Sequence, residues 1–179
     1  MRFTPLNLSG AYIIELEPII DERGFFARTF CEEELSNRGL ISHFVQCNIA
    51  WSKAKGTLRG MHYQVPPHSE VKIVRCTGGS IYDVIIDLRP NSPTNCKWVA
   101  VELRPKDNKM LYVPGGLAHG YQTLESDTEV SYWMSDFYSS DTQRGVRWND
   151  PAFAIDWPIS DIILSEEDRF HPDFVPHSS

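Results

Sequence analysis

The chain is broken into short pieces by its turn residues, and this limits what it can fold into. Twelve prolines and eleven glycines are spread along 179 residues. Turns are predicted at Gly78-Gly79, Arg89 to Pro93, Arg104 to Asn108, Pro114 to Gly116 and Glu125 to Asp127, because Gly, Pro, Asn and Asp supply the dihedrals that turns need. Between them lie short runs rich in β-branched and aromatic residues: Val71 to Thr77, Ser80 to Leu88, Lys97 to Leu103, Met110 to Val113 and Glu129 to Met134. Short strands at such spacing predict an all-β antiparallel sandwich or barrel.

Within Ser80 to Leu88 the alternation puts Tyr82, Val84, Ile86 and Leu88 on one face, read as the core side. Ile81, Asp83, Ile85 and Asp87 fall on the other face. Helical signal is sparse. One short helix is predicted over Cys31 to Arg38, ended by Gly39, and another within Ser160 to Asp168. No repeat, low-complexity tract or linker divides the chain, so residues 1–179 read as one domain.

The net charge of −7 argues against a nucleic-acid binder, which carries a basic surplus. It leaves room for a local basic pocket that takes a small anion. Cys31, Cys47, Cys76 and Cys96 form no CxxC pair and match no zinc spacing. They read as reduced thiols of a cytoplasmic protein. Met1 to Ile14 lacks the basic-then-apolar pattern of a signal peptide. No apolar run approaches the ~20 residues of a membrane span.

The densest polar run is Gly56 to Gln64. On a regular strand His62 and Gln64 share one face and Arg59 takes the other. A bulge at Gly60 would return Arg59 to the His62 side. Three other features stand out. Lys72 sits inside the apolar run Val71 to Val74, where a charge needs a partner. His119 follows the Gly-rich turn Pro114 to Gly116. Tyr132 alternates with Val130 and Met134. Together they offer a base, a cation and a hydroxyl acid. There is no G-x-S-x-G elbow, no G-x-G-x-x-G and no P-loop.

These residues resemble those of a known family. Arg59 to Pro67 with Lys72-Ile73-Val74, Asp83 to Arg89 with Ser92-Pro93-Thr94, and Val113-Pro114-Gly115 through His119-Gly120 are similar to the core of the dTDP-4-dehydrorhamnose 3,5-epimerases. So are Asp21 to Phe26, Tyr132 to Tyr138, Trp148 to Pro151, Ile155 to Pro158 and Ser165 to Asp168. The similarity runs in order along nearly the whole chain. It implies an all-β fold, a cupin-type antiparallel jelly roll with a few short helices at the periphery and C-terminus. It also implies a homodimer that works without metal or other cofactor on a nucleotide-linked 4-keto-6-deoxyhexose, inverting carbon 3, carbon 5 or both. The N-terminal segment would cross to the partner subunit.

The resemblance also implies roles. His62 matches the base, Asp168 its partner carboxylate, Tyr132 the acid on the opposite face, and Lys72 the stabiliser of the enolate oxygen. Arg23 and Arg59 match diphosphate contacts. Gln46, Asn48 and His119 fall at substrate-binding positions, and Phe26 and Tyr138 at positions that stack on the base. Arg28, Gln143 and Glu167 stand where the family usually has Glu, Glu and Lys. Cys47 replaces an acid, Ile49-Ala50 a His-Ser pair, and Glu70 a glutamine. Arg28 and Gln143 are therefore substrate-binding positions with altered chemistry, and a CDP-linked substrate or inversion at carbon 3 alone is the alternative.

Two other classes compete. A cupin metal site would use two histidines one residue apart, a glutamate and a later histidine. Gln64 stands where the second histidine belongs, and a neutral amide is a poor transition-metal ligand. A non-catalytic nucleotide-sugar binding module would use the arginines and aromatics but has no need of His62 with Asp168.

Overall fold

The computed structural model describes residues 1–175. Its elements in chain order are β1 (Arg2–Pro5), β2 (Tyr12–Glu15), β3 (Ile19–Asp21), β4 (Gly24–Phe26), α1 (Glu32–Ser36), β5 (Gln46–Ser52), β6 (Leu58–Gln64), β7 (Lys72–Gly78), β8 (Ile81–Asp87), β9 (Trp98–Leu103), a 3-10 turn (Pro105–Asp107), β10 (Lys109–Val113), β11 (Leu117–Thr123), β12 (Thr128–Met134), β13 (Gln143–Gly145) and α2 (Glu166–Arg169). Strands β7 to β10 and β12 fall within two residues of the predicted runs.

Two antiparallel sheets face each other in a cupin-type jelly roll. One has six strands in the order β1-β2-β10-β7-β12-β5, the other five in the order β13-β6-β11-β8-β9. Among the described residues the hairpin β3–β4 pairs only with itself. Between the sheets, Val74, Leu111, Val113 and Val130 from one side meet Ile81, Ile85, Leu103, Leu117 and Tyr121 from the other. Full burial of one such Val or Ile contributes about 1.5–3 kcal/mol.

Strand β8 differs from the expectation in which face fills the space between the sheets. Ile81 and Ile85 point there, and Asp83 and Asp87 on the same face are fully buried. Val84, Ile86 and Leu88 lie on the outer face, under Val146 and Phe153 with Tyr82, Trp157 and Phe174. The long C-terminal arm covers that outer face, so alternation alone did not separate core from surface. Buried Asp87 is satisfied locally: Arg89 donates two hydrogen bonds to it at 2.8 and 2.7 Å, and Ser92 and Thr94 donate at 2.5 and 2.6 Å.

The same arm delivers the far wall of the cavity. Gln122 exchanges two hydrogen bonds with Ile159 at 2.8 and 3.0 Å. Ile163 pairs with Gly56 and Leu58, and the Arg147 N–H donates to the Pro172 carbonyl. These contacts fold residues after 163 back over β6 and bring α2 to the cavity edge. The first helix is shorter than predicted, and the second runs one residue past the predicted stretch. α1 spans Glu32–Ser36, and α2 is a single turn capped by Ser165, whose Oγ accepts from the Asp168 N–H at 3.0 Å.

Candidate active site

A cavity of about 690 Å³ opens between the two sheets. His62, Lys72, His119, Tyr132 and Asp168 line it together with Gln46, Asn48, Arg59, Tyr138 and Gln143. Ten of the thirteen residues singled out in the sequence therefore meet in one place.

Arg59 reaches the cavity by the irregularity expected at Gly60. The pairing of β6 with β11 shifts register between His119 and Tyr121. Gly60 has φ of +130°, and a Cβ there would lie 2.5 Å from the Gly120 Cα. The close approach and the positive φ both require glycine. Arg59 is then held by hydrogen bonds from Nε to Ser52 Oγ and from Nη2 to the Trp51 carbonyl, both 3.2 Å.

His62 Nε2 lies 2.5 Å from Asp168 Oδ1. With the carboxylate as acceptor the ring proton is assigned to Nε2, which leaves the Nδ1 lone pair for substrate. Burial pushes the Asp168 carboxyl up. The hydrogen bond and charge of His62, with contacts from Ser165 and the Gly60 backbone, outweigh it and hold the group below its ordinary range. The contact fixes the orientation of the ring and sets a carboxylate against one of its nitrogens.

His119 stands directly across from His62 in the register of β11 and β6. Its Nε2 is 2.8 Å from Asp83 Oδ1, a close contact out of line for a hydrogen bond, with both side chains buried. The buried cation that Lys72 presents has its partner in Glu70: Nζ to Oε1 is 3.0 Å. Lys72 Nζ is also 3.5 Å from the His62 carbonyl. Tyr132 is half-buried beside Arg59. Burial raises its phenol above the ordinary value, and the guanidinium moderates the rise. The group is thus a protonated acid at neutral pH.

The rim is tied together by amides. Tyr138 donates its hydroxyl hydrogen to Gln143 Oε1, and Gln143 Nε2 donates to Glu167 at 2.9 Å. Gln46 Oε1 accepts from the Tyr138 N–H at 3.0 Å, and Asn48 lies 3.5 Å from the Met134 sulfur. Gln64, at the position of a cupin ligand, is fully engaged. It donates to the carbonyls of His68 and Phe137 at 3.0 and 3.2 Å and accepts from the Ser139 N–H at 2.7 Å. Its work is to pin the loop that carries Tyr138.

Arg23, Phe26 and Arg28 are placed elsewhere. They lie on or just after the β3–β4 hairpin, and none lines this cavity. Arg23 pairs with Asp21 at 2.5 Å, and Arg28 is 3.6 Å from Glu34. Phe26 and Arg28 instead border a smaller hollow of about 260 Å³ with Met1, Glu17, Ile19 and Glu34.

The sequence reading missed His171. Its Nε2 is 3.5 Å from Asp168 Oδ1, and its ring meets that of His62 edge to face at 5.4 Å. Burial and the neighbouring His62 lower its pKa. The only sequence signal was its position three residues after Asp168. His62, Asp168 and His171 are also the described residues whose ligand atoms lie close enough together, within 4.8 Å, to hold a metal ion.

Comparison with known proteins places this arrangement. Residues 5–175 match the family model described as dTDP-4-dehydrorhamnose 3,5-epimerase. The chain is 40% identical to the dTDP-4-dehydrorhamnose 3,5-epimerase of Shigella flexneri over 98% of its own length and 97% of the relative's. It resembles the crystal structure of the Elizabethkingia anophelis enzyme of that name with a TM-score of 0.94 at 39% identity, covering 97% of this chain and 96% of that one. The Bacillus anthracis structure, which has TDP and PPi bound, gives 0.93 at 39% identity over 97% and 99%.

Proposed function

The chain belongs to the dTDP-4-dehydrorhamnose 3,5-epimerase family, and from that premise we propose that it epimerises a nucleotide-linked 4-keto-6-deoxyhexose at carbon 3, carbon 5 or both, with the dTDP-linked sugar as substrate. The observation that carries the reading is the convergence of His62, Lys72 and Tyr132 on one cavity, with Asp168 behind the imidazole. The relative with bound TDP supports the choice of nucleotide.

The chemistry follows from the groups present. A ketone at carbon 4 acidifies the C–H bonds at carbons 3 and 5, because either carbanion delocalises into an enolate. Nδ1 of His62 takes the proton, and Asp168 stabilises the imidazolium. Negative charge gathers on the carbon 4 oxygen, where the Lys72 ammonium is the cation available. Tyr132 then delivers a proton to the opposite face of the ring, and the carbon is inverted. Proton exchange of His62 and Tyr132 with solvent resets the site. General acid–base catalysis of this kind contributes roughly 100- to 10,000-fold, and fixed charge at an oxyanion contributes several kcal/mol more. Arg59 suits the diphosphate, since a guanidinium pairs with phosphate oxygens in two-pronged fashion.

The working unit in this proposal is a homodimer. The β3–β4 hairpin exposes Ile19, Ile20, Phe25 and Phe26 at 59–77%, an apolar patch of the kind that marks a contact surface. A second copy covering it would bring Arg23 and Phe26 to the neighbour's cavity, as diphosphate contact and base-stacking ring. Arg28 would travel with them.

The test is a panel of dTDP-, CDP-, UDP- and GDP-linked 4-keto-6-deoxyhexoses with proton NMR of the products. Inversion of the dTDP substrate supports the proposal. Binding without turnover of any sugar overturns it in favour of a binding module.

A further inference from the structure

Three metal-ligating atoms from separate parts of the chain converge at the edge of the cavity. They are Nε2 of His62 on β6, Oδ1 of Asp168 on α2 and Nε2 of His171 on the arm beyond it, all within 4.8 Å of one another. Asp168 Oδ1 is the shared centre, 2.5 Å from His62 and 3.5 Å from His171.

The place of His171 is built. Its ring lies against the backbone of Gly145, where a Cβ would come within 2.3 Å of the ring atoms. Gly145 is also the register partner of His62. The slot that admits the second imidazole therefore sits directly beside the first. Within that slot His171 Nε2 is buried and, among the described residues, has no hydrogen-bond partner, an unusual state for a ring nitrogen.

We propose that His62, Asp168 and His171 form an inhibitory site for a divalent transition metal, best matched by Zn²⁺. Two imidazole nitrogens and one carboxylate are a common zinc donor set, with the fourth position left open. Ligand atoms about 2.0–2.1 Å from a tetrahedral ion lie roughly 3.3 Å apart; here Asp168 Oδ1 is 2.5 and 3.5 Å from the two imidazole nitrogens and all three atoms lie within 4.8 Å, so small side-chain shifts complete the site. His62 and Asp168 both line the cavity, which gives an ion an entry path. Magnesium and calcium, which take oxygen donors, are poorly served.

Occupation switches the base off. The ion takes the place of the proton between His62 Nε2 and Asp168 Oδ1, and that proton moves by exchange with solvent to Nδ1, so the ring stays neutral. An imidazole bound through Nε2 thus carries its one proton on Nδ1. It then has no lone pair for a sugar C–H, so the metal-loaded protein is inactive and the metal-free protein is the catalyst. This last step rests on His62 being the base of the proposed epimerisation.

The test uses zinc chloride and the full-length protein, with binding followed by calorimetry and turnover by NMR. One Zn²⁺ per chain is expected to bind and stop turnover, with magnesium chloride inert at the same concentration. His171→Phe, which keeps a ring in the Gly145 slot, should bind zinc at least tenfold more weakly and keep turning over at zinc concentrations that silence the wild type. Nitrogen-15 NMR of the wild-type histidines gives a reading free of any folding defect: His62 and His171 signals should shift on adding zinc. No shift at either histidine, or equal zinc sensitivity of the Phe variant, overturns the site. Zinc binding through His171 in a protein that epimerises no sugar would sink the functional reading and leave the metal site standing. Epimerisation indifferent to zinc does the reverse.

Discussion

Lys72 and Glu70 form a buried ion pair at 3.0 Å, with side chains only 10% and 3% exposed. The pair explains how a lysine is tolerated inside an apolar strand, and it holds the ammonium at the cavity, where the proposed mechanism needs a cation. Lys72→Met should reduce turnover about 100- to 1,000-fold, the loss typical of one oxyanion donor. Removing one member of a buried pair leaves the other uncompensated, at a cost of about 3–5 kcal/mol. Each of Lys72→Met and Glu70→Gln should therefore lower the urea midpoint. The double variant should be more stable than either single one.

Tyr132 should separate exchange from inversion. Without the phenol, His62 still removes and returns a proton on its own face. Tyr132→Phe is expected to keep hydrogen exchange at carbon 3 or carbon 5 while inversion at one centre falls by about 100-fold or more. Because burial raises the phenol, loss of the acid form should not limit the wild type below about pH 10. A pH–rate profile with deuterium NMR checks both statements.

Asp87 gives a stability prediction with a defined sign. Burial opposes its charge, but hydrogen bonds from Arg89, Ser92 and Thr94 bring its pKa from 3.8 down to about 2. A depressed carboxyl adds stability above its unfolded value and loses it as pH falls through the folded one. The contribution is about 2 kcal/mol and disappears between about pH 4 and pH 2. Asp87→Asn should be less stable than the wild type at neutral pH, and the gap should narrow across that acid window in urea titrations.

The hairpin predicts a concentration dependence. If Arg23 completes a neighbour's site, diluting the protein to monomer weakens substrate binding. Arg23→Ala should raise KM about tenfold with little change in kcat, as expected for loss of one charged hydrogen-bonding contact. Sedimentation combined with kinetics reads both, and a fully active monomer would remove the hairpin from the site.

How far the sequence carried these features depended on distance along the chain. The strands around Lys72 and Tyr132 were readable because each rests on local alternation between turn residues. The return of Arg59 to the His62 face was readable too, since Gly60 marks the bulge. Which face of β8 fills the inter-sheet core was not, because Phe153, Trp157 and Phe174 cover the other face from some 70 residues away. His171 was missed for the same reason: its slot is set by Gly145 and by the path of the arm, not by its neighbours in sequence. The placement of Arg23, Phe26 and Arg28 outside the cavity has a related origin, since among the described residues β3 and β4 pair only with each other.

The central claim is that one imidazole removes a carbon-bound hydrogen. In heavy water, wild-type protein given dTDP-4-keto-6-deoxyglucose should place deuterium at carbon 3, carbon 5 or both, and His62→Asn should abolish most of that incorporation. Deuterium entering at the wild-type rate in the His62→Asn variant would contradict the account.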